Sequence, residues 1–305
     1  MSWQARLLNI WLRATEKPFL TRAKTARALR VSFDLKARLF FHAPFGTRKK
    51  TQTLADRPAL FVTPRGVTPR RVILHFHGGA HVFGSPQAYS AMLANLARRA
   101  EAVAILPQYP LAPEHSFPQA PDHCLATYRA VLAMGYDPAD VIIGGDSAGG
   151  NLALSVLVAL LRTGEPLPAG LYGLSPLTDM TFSGRSVVDN ADAEVVLPIT
   201  RISEAAAGYL DGHPGQDPLA SPLFADFSGA CPVWLTAGDT EILLDDTVRL
   251  DRRLRDQGVR TETKIERDLP HVWPLFHNIL PEARVTLDAL AAWCRAQTGA
   301  KAATR

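Results

Sequence analysis

The run Gly145-Asp146-Ser147-Ala148-Gly149 sets a serine two residues from a glycine on either side. A serine hydroxyl is a weak nucleophile until a base takes its proton, and it attacks a carbonyl carbon only if it stands clear of its own backbone. A sharp turn between a strand and a helix achieves that, and the flanking glycines, lacking Cβ atoms, let the turn close tightly. The run follows the apolar Val141-Ile142-Ile143-Gly144 directly and leads into a helical pattern over 148–162. That context favours an exposed nucleophile over a plain helix start with Ser147 as its N-cap. The developing alkoxide would gain from the helix dipole.

Acyl transfer through such a serine needs three more groups. Its tetrahedral intermediate needs backbone N–H donors, and His77-Gly78-Gly79-Ala80, after the apolar Val72-Ile73-Leu74-His75-Phe76, offers Gly78 and Gly79, with the N–H of Ala148 as third donor. A base is sought among nine histidines; His271 lies after the strand-like Thr263-Lys264-Ile265, where a chain ordered nucleophile, acid, histidine carries it. The acid should lie in Gly238-Asp239-Thr240-Glu241-Ile242-Leu243-Leu244-Asp245-Asp246. Asp245 and Asp246 head a helix and read as dipole partners. That leaves Glu241 and Asp239 to orient His271. His75, His77 and His81 could instead suggest a metal site, but no carboxylate lies among them, and the glycine pair between them suits an oxyanion loop better. No metal and no cofactor are expected.

The elements that must position these residues alternate short apolar strands with helices. Strands are expected at 72–76, 103–106, 141–144 and 233–237, and helices at 88–100, 121–134, 148–162, after Val248 and at about 281–296. This implies an α/β fold, a mostly parallel sheet covered on both faces. Residues 1–45 read as helical. The rhythm changes between about 175 and 220, with one helical piece near 200–211, as for an insertion over the sheet's end.

Hydrophobic residues make up 47% and charged ones 20%, which excludes a disordered chain. Residues 1–50 hold 12 Lys/Arg against 2 Asp/Glu, whereas the other 255 hold 21 against 27. No nucleic-acid motif accompanies the basic end, so no nucleic-acid partner is expected. Its charges alternate with Trp3, Leu7, Ile10 and Trp11 at helical spacing, as in an amphipathic helix packed on the body with a solvated basic face. Membrane-surface contact is the other reading of that pattern. No leader and no apolar run of membrane-spanning length are visible, so stable insertion is not expected. Cys124, Cys231 and Cys294 are isolated, which fits a reducing compartment and a cytoplasmic protein.

His77-Gly78-Gly79 with Gly145-Asp146-Ser147-Ala148-Gly149-Gly150 resembles the hormone-sensitive-lipase group of α/β-hydrolases, in its bacterial esterase branch. Tyr109-Pro110-Leu111-Ala112-Pro113-Glu114, Ser175-Pro176-Leu177-Thr178-Asp179, Asp217-Pro218-Leu219-Ala220-Ser221-Pro222 and His271-Val272-Trp273 are similar to further segments of that family. The resemblance implies the α/β-hydrolase fold with a helical cap, formed by residues 1–45 and an insertion at about 175–220 in a catalytic domain spanning 46–305. It also implies a serine carboxylesterase acting on small ester substrates with short to medium acyl chains, and a homodimer through the last strand and helix. Trp3, Trp11, Phe19, Leu20, Leu197 and Ile199 would make the cap apolar. Lactone hydrolysis and a non-catalytic ligand-binding protein on the same scaffold are the alternatives. Glu241-Ile242-Leu243-Leu244-Asp245 aligns with the family's Asp-Pro-Leu-x-Asp and puts Glu241 at the acid's place, with Asp239 as its rival. Two departures stand out: Ala80 replaces a third glycine, so a donor there must carry a methyl group, and Pro110 replaces an arginine.

Overall fold

The apolar strands assemble into one eight-stranded sheet in the computed structural model, which describes residues 1–68 and 70–299. The stretch 300–305, at the end of the expected 46–305 domain, lies outside the described residues. The chain runs α1 (Trp3–Arg22), α2 (Ala26–Phe40), β1 (Arg48–Leu54), β2 (Arg57–Thr63), β3 (Arg71–Phe76), α3 (Pro86–Ala100), β4 (Ala102–Pro107), α4 (Gln119–Ala133) and β5 (Val141–Asp146). It continues with α5 (Ala148–Thr163), β6 (Gly170–Leu174), α6 (Ser186–Asp189), α7 (Ile199–Leu210), β7 (Val233–Gly238), α8 (Leu244–Asp256), β8 (Thr261–Glu266) and α9 (Pro281–Gln297). The spatial order is β1-β2-β4-β3-β5-β6-β7-β8. β1 and β2 pair antiparallel with each other, β2 pairs antiparallel with β4, and every pairing from β4 to β8 is parallel. This is the expected α/β-hydrolase architecture.

Successive residues of each inner strand enter opposite cores, as the two-residue period of a strand demands. Val72, Leu74, Val141, Ile143, Leu171, Val233 and Leu235 pack with the inward faces of α4, α5 and α8. Ile73, Ala104, Ile142, Tyr172 and Trp234 pack on the other side with α3 and α9. Because both faces are covered, β3, β4, β5 and β7 are mostly apolar on both, which is why they are visible in the sequence. β1, β2 and β6 are not. β1 is a charged edge strand, Arg48-Lys49-Lys50-Thr51, as suits an edge that must not pair further. β6 is Gly170-Leu171-Tyr172-Gly173-Leu174, where a Cβ on Gly170 would meet Trp293 at 2.6 Å, so packing has removed the β-formers that would mark a strand.

The expected helical stretch 1–45 is two helices. Thr25 accepts the N–H of Ala28 and starts the second, as Ser2 accepts that of Ala5 and starts the first. α1 buries Ala5, Leu8 and Leu12 against Val195, Leu269, Trp273, Leu280 and Ala283. Each buried leucine there contributes about 1.5–3 kcal/mol. The segment 175–220 contains only α6 and α7 as helices.

The tightest packing supports the serine turn. A Cβ on Gly149 would fall 1.9 Å from the Phe76 carbonyl oxygen, and one on Gly145 would fall 2.2 Å from the Gly149 carbonyl. Helix α5 therefore starts in contact with the end of β3. Gly149→Ala should cost about 3 kcal/mol or more, because backbone and not a flexible side chain has to move. Urea unfolding of the variant against the wild type measures this loss.

Candidate active site

Ser147 occupies the single residue between β5 and α5, at φ 51° and ψ −122°. A non-glycine residue held there carries about 1–3 kcal/mol of strain, sustained by its surroundings. Its N–H donates to Leu174 O (2.9 Å), and its carbonyl accepts from Asn151 N–H (3.1 Å) and Leu177 N–H (3.0 Å). The turn is thus clamped between the end of β6 and the first turn of α5.

His271 follows β8 and lies with its Nδ1 2.6 Å from Glu241 Oε2. A carboxylate only accepts, so Nδ1 carries the proton and donates. The other oxygen of Glu241 accepts from Ser175 Oγ (2.8 Å) and from Gly238 N–H (2.5 Å). Ser175 Oγ in turn accepts the Val272 N–H (3.3 Å), so the acid and the histidine loop share one hydroxyl. His271 Nε2 is buried and meets no hydrogen-bond partner among the described residues, in the cavity that Ser147 also lines. Burial opposes the charged imidazolium, but the charge and hydrogen bond of Glu241, with Glu194 and Asp146 beyond it, outweigh that and raise the His271 pKa.

Asp239 does not reach His271. Its Oδ1 accepts from Asp268 N–H (2.7 Å) and its own N–H donates to Glu266 O (2.9 Å), which pins the turn after β8. Asp245 accepts from Ser186 N–H (3.1 Å). Asp246 accepts from the N–H groups of Thr178 (2.5 Å) and Asp179 (3.0 Å), and burial raises its pKa to about 7. Both lie in the first turn of α8, but their side chains hold the segment that follows β6.

The loop expected to hold the oxyanion departs from that expectation at Gly78. Its N–H donates to Asp146 Oδ1 (3.0 Å), and Gly78 does not line the cavity. A Cβ at this position would sit 2.2 Å from Asp146 Oδ2, so the glycine serves the close approach of loop and carboxylate. Gly79 and Ala80 line the cavity, and neither N–H meets an acceptor among the described residues. Ala80 takes φ 52°, the left-handed conformation its methyl group disfavours. Ala148 begins α5, where the N–H has no partner within the helix. The donors that the backbone leaves free are therefore Gly79, Ala80 and Ala148.

Asp146 is the residue whose function the sequence hid, although it lies inside the serine motif. Besides Gly78, it accepts from Tyr89 OH through Oδ2 (3.0 Å) and contacts His75 Nε2 through Oδ1 (3.1 Å). His75 Nδ1 meets Tyr172 OH at 2.7 Å. His77 stacks on Tyr109 with centroids 4.4 Å apart, and the Tyr109 hydroxyl donates to His77 O (2.6 Å). Burial lowers His77 to about 4 and His81 to about 3, so both rings are neutral at ordinary pH. The three histidines thus point to separate partners, His81 lying flat on Tyr209. Glu194 had no motif to announce it. Its carboxyl accepts from Val196 N–H (2.7 Å), Leu197 N–H (3.2 Å) and Ile242 N–H (3.2 Å), and burial raises its pKa.

A cavity of about 720 Å³ opens over Ser147. Its walls include Trp3, Trp11 and Leu20 from α1, Phe33 and Ala37 from α2, and Leu197 and Ile202 from the 175–220 segment. Phe19 and Ile199, expected beside them, face elsewhere: Phe19 lies under Lys36 Nζ and Ile199 packs on the main core.

Residues 73–275 match the family model described as alpha/beta hydrolase fold. An esterase of Acinetobacter venetianus is 33% identical over 297 residues, 95% of each chain. An acetyl-hydrolase of Streptomyces hygroscopicus is 34% identical over 229 residues, 75% of this chain and 77% of its own. A crystal structure of an esterase from the bacterial hormone-sensitive lipase family superposes with a TM-score of 0.93 at 34% identity, over 98% of this chain and 99% of that one. The chain belongs to the hormone-sensitive-lipase-like family of α/β-hydrolases. That membership makes it a carboxylic-ester hydrolase.

Removing the charge of Asp146 tests its part as a positioning residue. Asp146→Asn keeps the shape but puts an amide where three donors converge. It should cost about 3 kcal/mol of stability, since charged buried hydrogen bonds are worth roughly 1.5–3 kcal/mol each. Urea unfolding measures that loss. If Asp146 positions the oxyanion loop, kcat on a soluble ester falls in the fraction that remains folded while KM holds.

Proposed function

We propose that this hydrolase cleaves short- to medium-chain acyl esters through an acyl-enzyme on Ser147. The observation that carries the reading is the buried His271–Glu241 pair at 2.6 Å, its free Nε2 in the same cavity as a serine on a strained strand-to-helix turn. Ser147 Oγ attacks the ester carbonyl as His271 Nε2 takes its proton. Glu241 stabilises the imidazolium through Nδ1 and stays ionised. The N–H groups of Gly79, Ala80 and Ala148 receive the oxyanion, already oriented by backbone that does not have to move. His271 then gives its proton to the departing alcohol, and water repeats the sequence to release the acid.

Acyl-chain length is read from the cavity. Its roughly 720 Å³ lies within the usual range for small-molecule sites, and it is closed over by α1, α2 and the 175–220 segment acting as a cap. The relative named as an acetyl-hydrolase supports the short end of that range. The three buried cysteines support placement in the cytoplasm. β8 lies at the edge of the sheet, beside which a second copy would dock in a homodimer.

Two measurements test the chemistry. Ser147→Ala should abolish nearly all turnover of p-nitrophenyl butyrate, and substantial residual turnover sinks the mechanism. A series of acyl lengths run beside lactones then separates chain preference from ring opening. The second is the pH profile. The base works neutral, and the His271 pKa is raised, so kcat/KM should fall as pH drops through a value above the ordinary 6.5. Glu241→Gln removes the group that raises it while burial remains. The acid limb should then move to lower pH, and kcat should drop by roughly 10²- to 10⁴-fold.

A further inference from the structure

We propose that the outer faces of α1 and α2 adsorb to an anionic lipid surface and bring the mouth of the active-site cavity onto it. Helix α1 buries Ala5, Leu8 and Leu12, yet the face opposite is also apolar: Trp3, Leu7, Ile10 and Trp11 are exposed, Trp3 at 68% and Ile10 at 65%. Residues at these spacings fall on one stripe of a helix. Helix α2 repeats the arrangement with Val31, Leu35 and Leu39, four residues apart and each more than half exposed. The two helices touch where the rings of Trp11, on the α1 stripe, and Phe40, on the cavity side of α2, meet edge to face at 5.9 Å. An exposed apolar surface of this extent on a soluble-type fold marks an interaction site.

Charge selects the partner. Counting 100° per residue, Arg6 lies about a quarter-turn from the α1 stripe, and Arg27 and Arg38 lie about a quarter-turn or less from the α2 stripe. All three are exposed, and none meets a carboxylate among the described residues. The two acidic residues of these helices are both engaged, Glu16 with Lys36 (2.5 Å) and Asp34 with Ser85 Oγ (2.6 Å). Apolar stripes flanked by unpaired arginines fit the boundary between acyl chains and anionic headgroups. No described helix is long and apolar enough to cross a membrane, so the contact is one of adsorption.

Position supplies the consequence. Trp3, Leu7, Trp11 and Phe40 are both exposed and part of the cavity wall, so the cavity that contains Ser147 opens through this patch. An apolar ester could pass from the lipid surface to the serine with little exposure to water.

The test is co-sedimentation of the full chain with vesicles, read as bound protein, with the Ser147→Ala variant carried beside the wild type so that turnover does not enter. Binding to phosphatidylcholine vesicles containing phosphatidylglycerol should exceed that to phosphatidylcholine alone by roughly tenfold or more at low salt, and should decline as salt is added. Ile10→Ser/Leu35→Ser/Leu39→Ser and Arg6→Glu/Arg27→Glu/Arg38→Glu should each lose most of that binding. None of these six residues lines the cavity, so turnover of a water-soluble p-nitrophenyl ester should stay unchanged. Equal recovery with neutral and anionic vesicles overturns the proposal. So does a homodimer in solution that the same substitutions dissociate, since a second copy would then cover the face. A wild-type chain that binds the anionic vesicles but turns over no p-nitrophenyl ester, or a Ser147→Ala variant that still turns it over, would sink the catalytic reading alone.

Discussion

The carboxylate of Asp146 ties together the two backbone segments on which the proposed chemistry depends. β3 and β5 are neighbouring parallel strands, in register at Phe76 and Gly145, so the loops leaving them compete for the same space. Asp146 is the last residue of β5, and it takes the N–H of Gly78, the second residue of the loop that leaves β3. Tyr89 and His75 complete its hydrogen bonding, so a buried carboxylate that would be costly alone is satisfied on three sides. The same tie explains the strain around it. Ala80, His81, Ser147, Ser175 and Val272 all take positive φ, at about 1 kcal/mol or more each, in segments that converge on the cavity. Five such residues persist together only where the surroundings over-determine the backbone, and Asp146 with the close-packed Gly149 does so for two of those segments.

On the acid side, the same logic works through hydroxyls and backbone. The Glu241 side chain is 1% exposed and makes three hydrogen bonds, one of them to His271. Glu194 lies close enough to raise His271 electrostatically but spends its oxygens on N–H groups of its own loop and of Ile242. Its backbone carbonyl accepts from Lys17 Nζ (2.8 Å). One buried residue therefore joins the acid loop, the 175–220 segment and helix α1. Burial alone would push His271 down; a buried negative neighbourhood, its carboxylates held by N–H and hydroxyl donors, pushes it up.

What the sequence makes legible is what local chemistry dictates. Doubly covered strands draw apolar residues onto both faces, so β3, β4, β5 and β7 stand out, whereas β1 is charged because it is an edge and β6 opens on a glycine because Trp293 crowds it. Ser147 and His271 follow from motif and chain order. Glu241 over Asp239 is a matter of which side of a turn faces inward, and Gly78 shows the limit of such reasoning. A glycine pair signals that backbone comes close to something, but the direction of an N–H depends on a partner from another strand, and for Gly78 that partner is Asp146. Glu194 sits where no periodicity or motif operates, and only the fold brings it to Ile242.

The division of labour between sheet and helices has a physical origin. The groups proposed to react sit at the ends of β5, β7 and β8 and in the β3 loop, where parallel strands fix the backbone. The walls that select the substrate come largely from α1, α2 and the 175–220 segment, outside the sheet. Helix α1 is attached through Ala5, Leu8 and Leu12 and by polar ties of Arg13 and Lys17 to the carbonyls of residues 191–194, α2 by Ala37 and by Arg30 to Glu114, whereas the 175–220 segment sends Leu177, Met180, Tyr209 and Leu210 into the main core. Elements with few buried contacts open at lower free energy than the sheet beneath them. The surfaces that would meet the substrate and the backbone that holds the proposed chemistry therefore come from different parts of one chain, joined at Glu194.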